Sequence, residues 1–216
     1  MLYYGLPTNP SIEILSEITK IYDLGFDYVE IGIEGPEGNP HIINKKRKEI
    51  GIDLINFHAN LNGMFYGENR RILLDNLIRS LREIIKYAEK SNVRVMLENT
   101  PLSNGIHKVN EIKYIIDNVP SLFVHLDVAH AFTSGGMESV IEYINTFRDK
   151  IIHIHWHDNH GSRDEHLPIG EGLIDHAKAV RALKDIDYDK TITLEVFTNS
   201  NDAKNSADKL RTIWAK

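Results

Sequence analysis

The stretch Ile151-Ile152-His153-Ile154-His155-Trp156-His157 has a histidine at every second position. Successive side chains of a strand point to opposite faces, so the three imidazoles share one face and the apolar residues share the other. The loop that follows contains Asp164 and His166. Neutral imidazole and carboxylate are ligands that zinc, manganese and related divalent ions accept. The stretch therefore predicts a buried strand that carries part of a metal site.

The composition limits the class of protein. A chain of 216 residues with 42% apolar residues is long enough for one domain, 1–216, with a sizeable core. The absence of cysteine excludes disulfides, thiolate zinc sites and cysteine nucleophiles. A formal charge of -6 gives no general attraction to polyphosphate, so nucleic acid is a disfavoured partner. Because residues 1–7 show no signal sequence and no apolar run approaches bilayer length, we expect a cytoplasmic protein without a membrane partner.

Short apolar runs alternate with segments of helical periodicity along the whole chain, which is typical of βα units and a parallel sheet. Seven strands are predicted, at residues 2–6, 27–33, 53–59, 93–99, 122–128, 151–157 and 191–197. Helices are predicted at residues 10–24, 39–50, 70–90, 108–118, 137–147, 174–185 and 203–214. The spacing of about 30 residues per unit supports a series of βα units.

Ionisable residues lie at the C-terminal ends of the predicted strands. They are Glu30, His58, Glu98, Asp127, His155 and Glu195. A barrel gathers the C-terminal ends of all its strands around one axis, whereas a doubly wound open sheet spreads them along a line. The fold class is therefore predicted to be α/β, a TIM-type β/α barrel.

The neighbours of these ionisable residues are apolar and are expected to face the surrounding helices. The ionisable side chains must then point into the barrel. Several buried carboxylates without a cation would repel one another and lose their hydration, and one or more divalent ions resolve that conflict. The alternative is that some of them pair with histidines or lysines inside the barrel, and this alternative stays open for Glu30 in particular.

Five motifs occur in a characteristic order. They are Leu97-Glu98-Asn99-Thr100, Leu126-Asp127-Val128-Ala129-His130-Ala131-Phe132, His155-x-x-Asp158, Asp164-x-His166-x-Pro168-x-Gly170-Glu171-Gly172-x-Ile174-Asp175, and Leu194-Glu195. The chain resembles the xylose-isomerase-like barrel superfamily, which includes endonuclease IV and the sugar isomerases and epimerases. The resemblance covers most of the chain, and it implies a TIM-type barrel with a divalent metal cofactor.

The resemblance also implies a set of metal ligands. Both branches share an ion on residues that match Glu98, Asp127, His155 and Glu195. The nuclease branch holds a further ion on residues that match His130, Asp164 and His166. It holds another on a histidine that matches His58 together with one more histidine. One to three zinc or manganese ions are therefore expected.

The last of these sites lacks a residue. The family places the second histidine on a strand between His58 and Glu98, whereas residues 62–92 predict one long helix and no strand. The barrel is therefore expected to be one βα unit short, with seven strands, which would leave the ion on His58 without its second histidine.

The leading hypothesis is a divalent-metal-dependent isomerase or epimerase of a small sugar or sugar phosphate. In such enzymes an ion chelated by two sugar oxygens stabilises an enediolate while two carboxylates on opposite faces move the proton. Glu98 and Glu195 are the predicted bases. The predicted substrate-binding residues are Glu30, Arg163 and His157, with Arg163 or His166 holding a distal hydroxyl or phosphate.

Two alternatives come from other classes of protein. An endonuclease IV-like phosphodiesterase would use clustered ions to cleave DNA at abasic sites. A metal-binding barrel without catalysis would serve as a subunit or sensor, since a shortened barrel exposes a seam that a partner would cover. A homo-oligomer is compatible with the sequence.

Overall fold

A computed structural model describes residues 2–7, 14–30, 53–59, 68–101 and 105–216. Its strands are β1 (Tyr3–Pro7), β2 (Tyr28–Glu30), β3 (Leu54–His58), β4 (Arg94–Glu98), β5 (Phe123–Asp127), β6 (Ile151–Trp156) and β7 (Thr191–Leu194). Its helices are Ile14–Asp23, Glu68–Glu89, Val109–Asn118, Val128–Phe147, His176–Lys184 and Ser200–Trp214, with a 3-10 turn at Arg148–Lys150. Each predicted strand is thus confirmed within the described residues, although the seventh ends at Leu194 and not at residue 197, and the predicted strand residues 31–33 lie outside the described residues. The helix predicted at 39–50 lies outside the described residues.

All seven strands are parallel and form one curled sheet, in the order β2-β1-β7-β6-β5-β4-β3. This confirms an α/β barrel of the TIM type with seven strands. His58 on β3 lies directly opposite Glu98 on β4, so no strand separates these two residues in the sheet. The prediction that no strand lies between these two residues in the sheet is therefore confirmed. Within the described residues, β2 and β3 are the edges of the sheet.

The apolar core lies between the outer face of the sheet and the helices. Leu97, Leu126, Ile154 and Leu194 are fully buried there, as expected for the neighbours of inward-pointing ionisable residues. Burying each such side chain contributes about 1.5–3 kcal/mol. The inner face carries histidines, carboxylates and threonines instead. No helix in the described part of the chain is long and apolar enough to cross a bilayer.

The segment after β5 differs from its prediction. Residue 128 was expected to end the strand and residues 129–136 to connect it to the helix, but helix begins directly after Asp127 and runs to Phe147, with non-helical backbone at Gly135 and Gly136. The Asp127 Oδ1 accepts a hydrogen bond of 2.7 Å from the His130 backbone N–H, which is an N-cap. Helix initiation by Asp127 therefore turns His130 back toward the end of its own strand.

The loop after β6 is held by one buried carboxylate. Asp158 accepts hydrogen bonds from the backbone N–H groups of Asn159, Gly170 and Ile174 and from the His176 Nε2. The His176 Nδ1 in turn accepts from the Trp156 indole, 3.0 Å away. A Cβ atom at Gly172 would lie 2.3 Å from the Asp158 Oδ1, so glycine is required there. This network fixes the loop that carries Asp164 and His166.

Asp158→Asn should lower the free energy of unfolding by about 2–4 kcal/mol, because an amide nitrogen would face groups that all donate. Chemical denaturation measures this change. The control is Asp189→Asn, since Asp189 is exposed and pairs only with the neighbouring Lys190 among the ion pairs of the described residues; it should change stability by less than about 0.5 kcal/mol. Equal effects of both substitutions would contradict the role given to Asp158.

The stability that Asp158 provides should also depend on pH. Burial alone would raise the pKa of this carboxyl, but His176 and the loop N–H groups lower it to about 2. A folded-state pKa below the unfolded value stabilises the protein at higher pH, and this contribution is lost as the pH falls through the folded pKa. The stability difference between the wild type and Asp158→Asn should shrink from about pH 5 toward pH 2.

Candidate metal centre

Four ionisable side chains meet at the C-terminal ends of β4 to β7, and we call them the first cluster: Glu98, Asp127, His155 and Glu195. Ligand atoms of Glu98, Asp127 and His155 all lie within 4.8 Å of one another, and these residues are at most 4% exposed. The His155 Nδ1 lies 3.4 Å from a Glu98 oxygen, 3.3 Å from a Glu195 oxygen and 4.0 Å from the Asp127 Oδ2. Adjacent parallel strands bring the four residues together.

A second cluster adjoins the first and consists of His130, His157, Asp164 and His166. The Asp164 Oδ2 lies 3.1 Å from the Nε2 atoms of both His130 and His166, and the Asp164 Oδ1 lies 3.3 Å from the His157 Nε2. The Asp127 Oδ2 is 3.6 Å from the same His157 nitrogen. Asp127 therefore connects the two clusters.

The three imidazoles of the second cluster are oriented by backbone carbonyls. The Nδ1 of His130 donates to the Asn99 carbonyl at 2.8 Å, that of His157 to the Asp158 carbonyl at 3.3 Å, and that of His166 to the Glu195 carbonyl at 3.1 Å. Each Nε2 points at Asp164 or Asp127, and it carries the lone pair when the imidazole is neutral. A backbone carbonyl behind a ligating histidine is the usual arrangement of metal sites.

Four buried polar atoms at the clusters make no hydrogen bond. They are the Asp127 Oδ2, the His155 Nδ1, the His157 Nε2 and the Asp164 Oδ1. Buried polar atoms without a partner are rare and call for an explanation such as an ion. Imidazole nitrogens and carboxylate oxygens are the donor set of zinc and manganese sites, so these residues fit a divalent ion.

Carboxylates and imidazoles perturb each other strongly. Burial alone would raise the pKa of the Asp127 carboxyl, but the facing His130 and His157 lower it to about 2. Burial alone would lower the pKa of His130, but Asp127 and Asp164 raise it to about 10. The pKa of His155 is likewise raised well above its ordinary value, against burial, by Glu195 and the other nearby carboxylates. Without an ion, protons on the imidazoles therefore balance the buried negative charge.

Three predicted site residues lie outside both clusters. His58 is exposed, with its ring 6.5 Å from that of His130, and belongs to none of the four groups of the described residues that could hold a metal ion. Arg163 is also exposed, and its Nε lies 3.4 Å from a Glu165 oxygen. Glu30 contacts His155 on the ring nitrogen that faces away from the first cluster. The predicted third ion on His58 and the predicted substrate contacts of Arg163 and Glu30 stay predictions.

The sequence interpretation left out three residues that touch the clusters. His125 is fully buried, with its Nδ1 3.5 Å from a Glu98 oxygen, and Asn56 donates a hydrogen bond to the same carboxylate. Asn99 exchanges two hydrogen bonds of 2.8 Å with the backbone of Asp127. His125 and Asn56 lie two positions before Asp127 and His58, so the period-two rule would have placed them inside the barrel.

Binding of Zn²⁺ or Mn²⁺ at neutral pH should release protons. An imidazole must lose its proton to ligate an ion, and the pKa values of His130, His155 and His166 are raised above the ordinary histidine value. Affinity should therefore rise with pH. Titration calorimetry in two buffers of different ionisation enthalpy measures the proton release. A binding heat that is independent of the buffer would contradict the assignment.

Asp127→Asn should weaken the binding of Zn²⁺ at both clusters, by at least about a hundredfold at the first. Asparagine also caps helices well, so the fold should persist. The matched control is Asp175→Asn, because the exposed Asp175 caps the His176–Lys184 helix in the same way. Calorimetric titration of both variants measures the effect, and unchanged affinity in Asp127→Asn would refute a site at this carboxylate.

Comparison with known proteins gives matches in both enzyme branches. An uncharacterized protein of Methanocaldococcus jannaschii is 29% identical over 232 residues, which cover 97% of this chain and 76% of that protein. The fructoselysine 3-epimerase of Escherichia coli O157:H7 is 30% identical over 131 residues, 59% of this chain and 47% of the epimerase. A probable endonuclease 4 of Mycoplasmopsis pulmonis is 33% identical over 144 residues, 58% of this chain and 49% of that protein. The matches thus span about half of the last two relatives.

Solved structures show the same fold. The structure of a D-tagatose 3-epimerase-like protein has a TM-score of 0.82 and 24% sequence identity, and the superposition covers 99% of this chain and 97% of that one. The sequence pattern of one family, described as xylose isomerase-like TIM barrel, matches residues 46–213. The chain therefore belongs to the xylose isomerase-like TIM barrel family.

Proposed function

We propose that the chain is a divalent-metal-dependent epimerase or isomerase that moves a proton next to the carbonyl of a small sugar or sugar phosphate. The observation that carries the proposal is the first cluster, where the carboxylates of Glu98 and Glu195 both approach the His155 Nδ1, at 3.4 and 3.3 Å. The similarity to fructoselysine 3-epimerase supports it. The family alone fixes no reaction, because functions vary widely on one fold.

Glu98, Asp127, His155 and Glu195 would hold the zinc or manganese ion. When bound, such an ion polarises a carbonyl and stabilises the negative charge that develops beside it. The residues of the second cluster would hold a further ion or orient the substrate. Their chemistry suits both tasks, because the Nε2 atoms of His130, His157 and His166 all face the carboxylate of Asp164.

Glu98 and Glu195 would act as the acid and base. One Glu98 oxygen is held by Asn56 and lies near His125, which leaves the other oxygen directed at His155. Glu195 is more accessible, with a side chain 16% exposed. One carboxylate would take the proton from the carbon next to the carbonyl, and the other would return a proton on the opposite face. Return to the same carbon inverts it. Return to the former carbonyl carbon, together with transfer of the hydroxyl proton to the former carbonyl oxygen, moves the carbonyl.

The end of the substrate far from the carbonyl would lie near the loop that carries Asp164 and His166. Arg163 is exposed on this loop, with a side chain 79% exposed, and its guanidinium would bind a distal hydroxyl or phosphate. His166 adopts the left-handed backbone conformation, with φ of 52°, and stacks at 4.2 Å on both His157 and Phe197. This stacking holds the His166 imidazole at the edge of the second cluster.

A metal-dependent phosphodiesterase is the second candidate, and the second cluster favours it. His130 and His166 both face the carboxylate of Asp164, and this is the arrangement expected for a further ion of a nuclease. The match to a probable endonuclease 4 is consistent with this. Two observations weigh against it. The direct pairing of β3 with β4 leaves no strand between His58 and Glu98 for another histidine, and the formal charge is -6.

Glu98→Gln and Glu195→Gln should each lower the turnover of a ketose substrate about a hundredfold to ten-thousandfold, because each removes an acid or base while keeping the shape of the side chain. Chromatographic separation of the epimeric sugars measures turnover. The control is Glu142→Gln, on the exposed surface of the Val128–Phe147 helix, and it should retain wild-type activity. Full activity in both cluster variants would eliminate the proposed acid and base.

The two candidate functions need substrates of both kinds. Ketoses, sugar phosphates and an oligonucleotide with an abasic site should be incubated with the Mn²⁺- or Zn²⁺-loaded protein in deuterated solvent. The proposal expects deuterium at the carbon next to the carbonyl of a sugar and an intact oligonucleotide. Metal-dependent cleavage of the oligonucleotide without exchange in any sugar would overturn the proposal in favour of the phosphodiesterase.

A further inference from the structure

Glu30 ends β2 and lies against the ring nitrogen of His155 that faces away from the first cluster. The Glu30 Oε2 accepts hydrogen bonds from the His155 Nε2 at 3.0 Å, the His153 Nε2 at 3.3 Å and the Thr193 hydroxyl at 2.8 Å. Three donors from two neighbouring strands, β6 and β7, therefore converge on one carboxylate oxygen.

This contact decides which nitrogen of His155 is free. Because the Nε2 carries the hydrogen that Glu30 accepts, a neutral His155 has its lone pair on the Nδ1. The Nδ1 is buried, makes no hydrogen bond and lies 3.3–4.0 Å from oxygens of Glu98, Asp127 and Glu195. By accepting the Nε2 hydrogen, Glu30 thus leaves the Nδ1 of a neutral His155 with its lone pair toward the first cluster.

The position of Glu30 is itself fixed by further hydrogen bonds. The Thr193 hydroxyl has one hydrogen, which goes to Glu30, so the Tyr28 hydroxyl, 2.8 Å from Thr193, must donate to it. The His153 Nδ1 lies 2.7 Å from the Thr191 hydroxyl, which can donate to it. The hydrogen of a neutral His153 is then on the Nε2, where Glu30 accepts it. The Tyr28 ring packs so closely on Gly5 that a Cβ there would lie 2.2 Å from it.

The charge of Glu30 is directed at His155. In the described part of the chain, the ion pairs of Glu30 are formed with His153 and His155 and involve no lysine or arginine. A carboxylate that accepts from a ligating histidine makes the other ring nitrogen more basic and fixes the orientation of the ring. Loss of such a partner typically weakens metal binding about 10- to 100-fold.

We propose that Glu30 is a positioning residue of the metal centre, which holds His155 with its Nδ1 toward the first cluster and strengthens that nitrogen as a ligand. This inference rests on the proposed metal binding of the first cluster, but not on the identity of the substrate. It gives Glu30 a role different from the substrate contact predicted from the sequence.

The test is the Zn²⁺ affinity of the full chain with Glu30→Leu, Glu30→Gln and a control. Glu30→Leu removes the acceptor, and affinity at the first cluster should fall about 10- to 100-fold. Glu30→Gln keeps an acceptor oxygen without the charge, so its loss should be smaller, and it tests the inference if the leucine variant fails to fold. The control is Glu111→Gln, because the Glu111 side chain is also partly buried but pairs with Arg70 outside the barrel interior. The Zn²⁺ affinity of this control should equal that of the wild type.

A second readout separates positioning from general destabilisation. Nitrogen-15 NMR of the zinc-loaded wild type should show His155 protonated at the Nε2 and ligating through the Nδ1. In Glu30→Leu the Nε2 signal should shift away from that of a hydrogen-bonded N–H, whereas Glu111→Gln should leave it unchanged. Wild-type affinity in both Glu30 variants, or a His155 that ligates through its Nε2, would overturn the inference alone. A wild type without affinity for Zn²⁺ would overturn the proposed metal centre and the inference together.

Discussion

Negative charge that the barrel encloses, and that histidines balance among the described residues, is the constraint on which the rest of the site depends. Among the described residues, the ion pairs of Glu30, Glu98, Asp127, Asp164 and Glu195 are all formed with histidines. Carboxylates removed from water need a compensating positive charge, and imidazole supplies one only while it is protonated. A bound divalent ion would replace those protons, and the raised pKa values of His130 and His155 describe the same balance without the ion.

The fold orients each ligand through the backbone. Strand ends deliver Glu98, Asp127 and His155, and the helix that starts at Asp127 returns His130 to the same place. The loop anchored on Asp158 delivers two further residues of the second cluster. Backbone carbonyls lie behind three of the imidazoles, and the Glu30 carboxylate lies behind His155. A site built in this way loses little side-chain entropy when it binds an ion, because the rings are already oriented.

The sequence predicted the strands well because each is a short apolar run, and six of the seven carry an ionisable residue at or near the C-terminal end. It also predicted the shortened barrel, since residues 62–92 contain no strand pattern, and the direct pairing of His58 with Glu98 agrees. The period-two rule was applied to His153, His155 and His157 but not to His125, which shares the inner face with Asp127. The role of Asp158 was not predictable, because its donors at positions 159, 170, 174 and 176 meet only when the loop has closed. The contact of Glu30 with His155 was equally unpredictable. Glu30 is 123 residues from His153 and 125 residues from His155 in the sequence, and these residues meet only in the folded sheet.

The central claim is that the first cluster binds a divalent ion, and anomalous diffraction from crystals grown with Zn²⁺ tests it most directly. Data collected on both sides of the zinc absorption edge should show a strong peak bounded by Glu98, Asp127, His155 and Glu195, with ligand distances of about 2.0–2.2 Å. A crystal with zinc fully occupied at other positions but no peak at this one would contradict the account. The four side chains would then be hydrogen-bonded to one another.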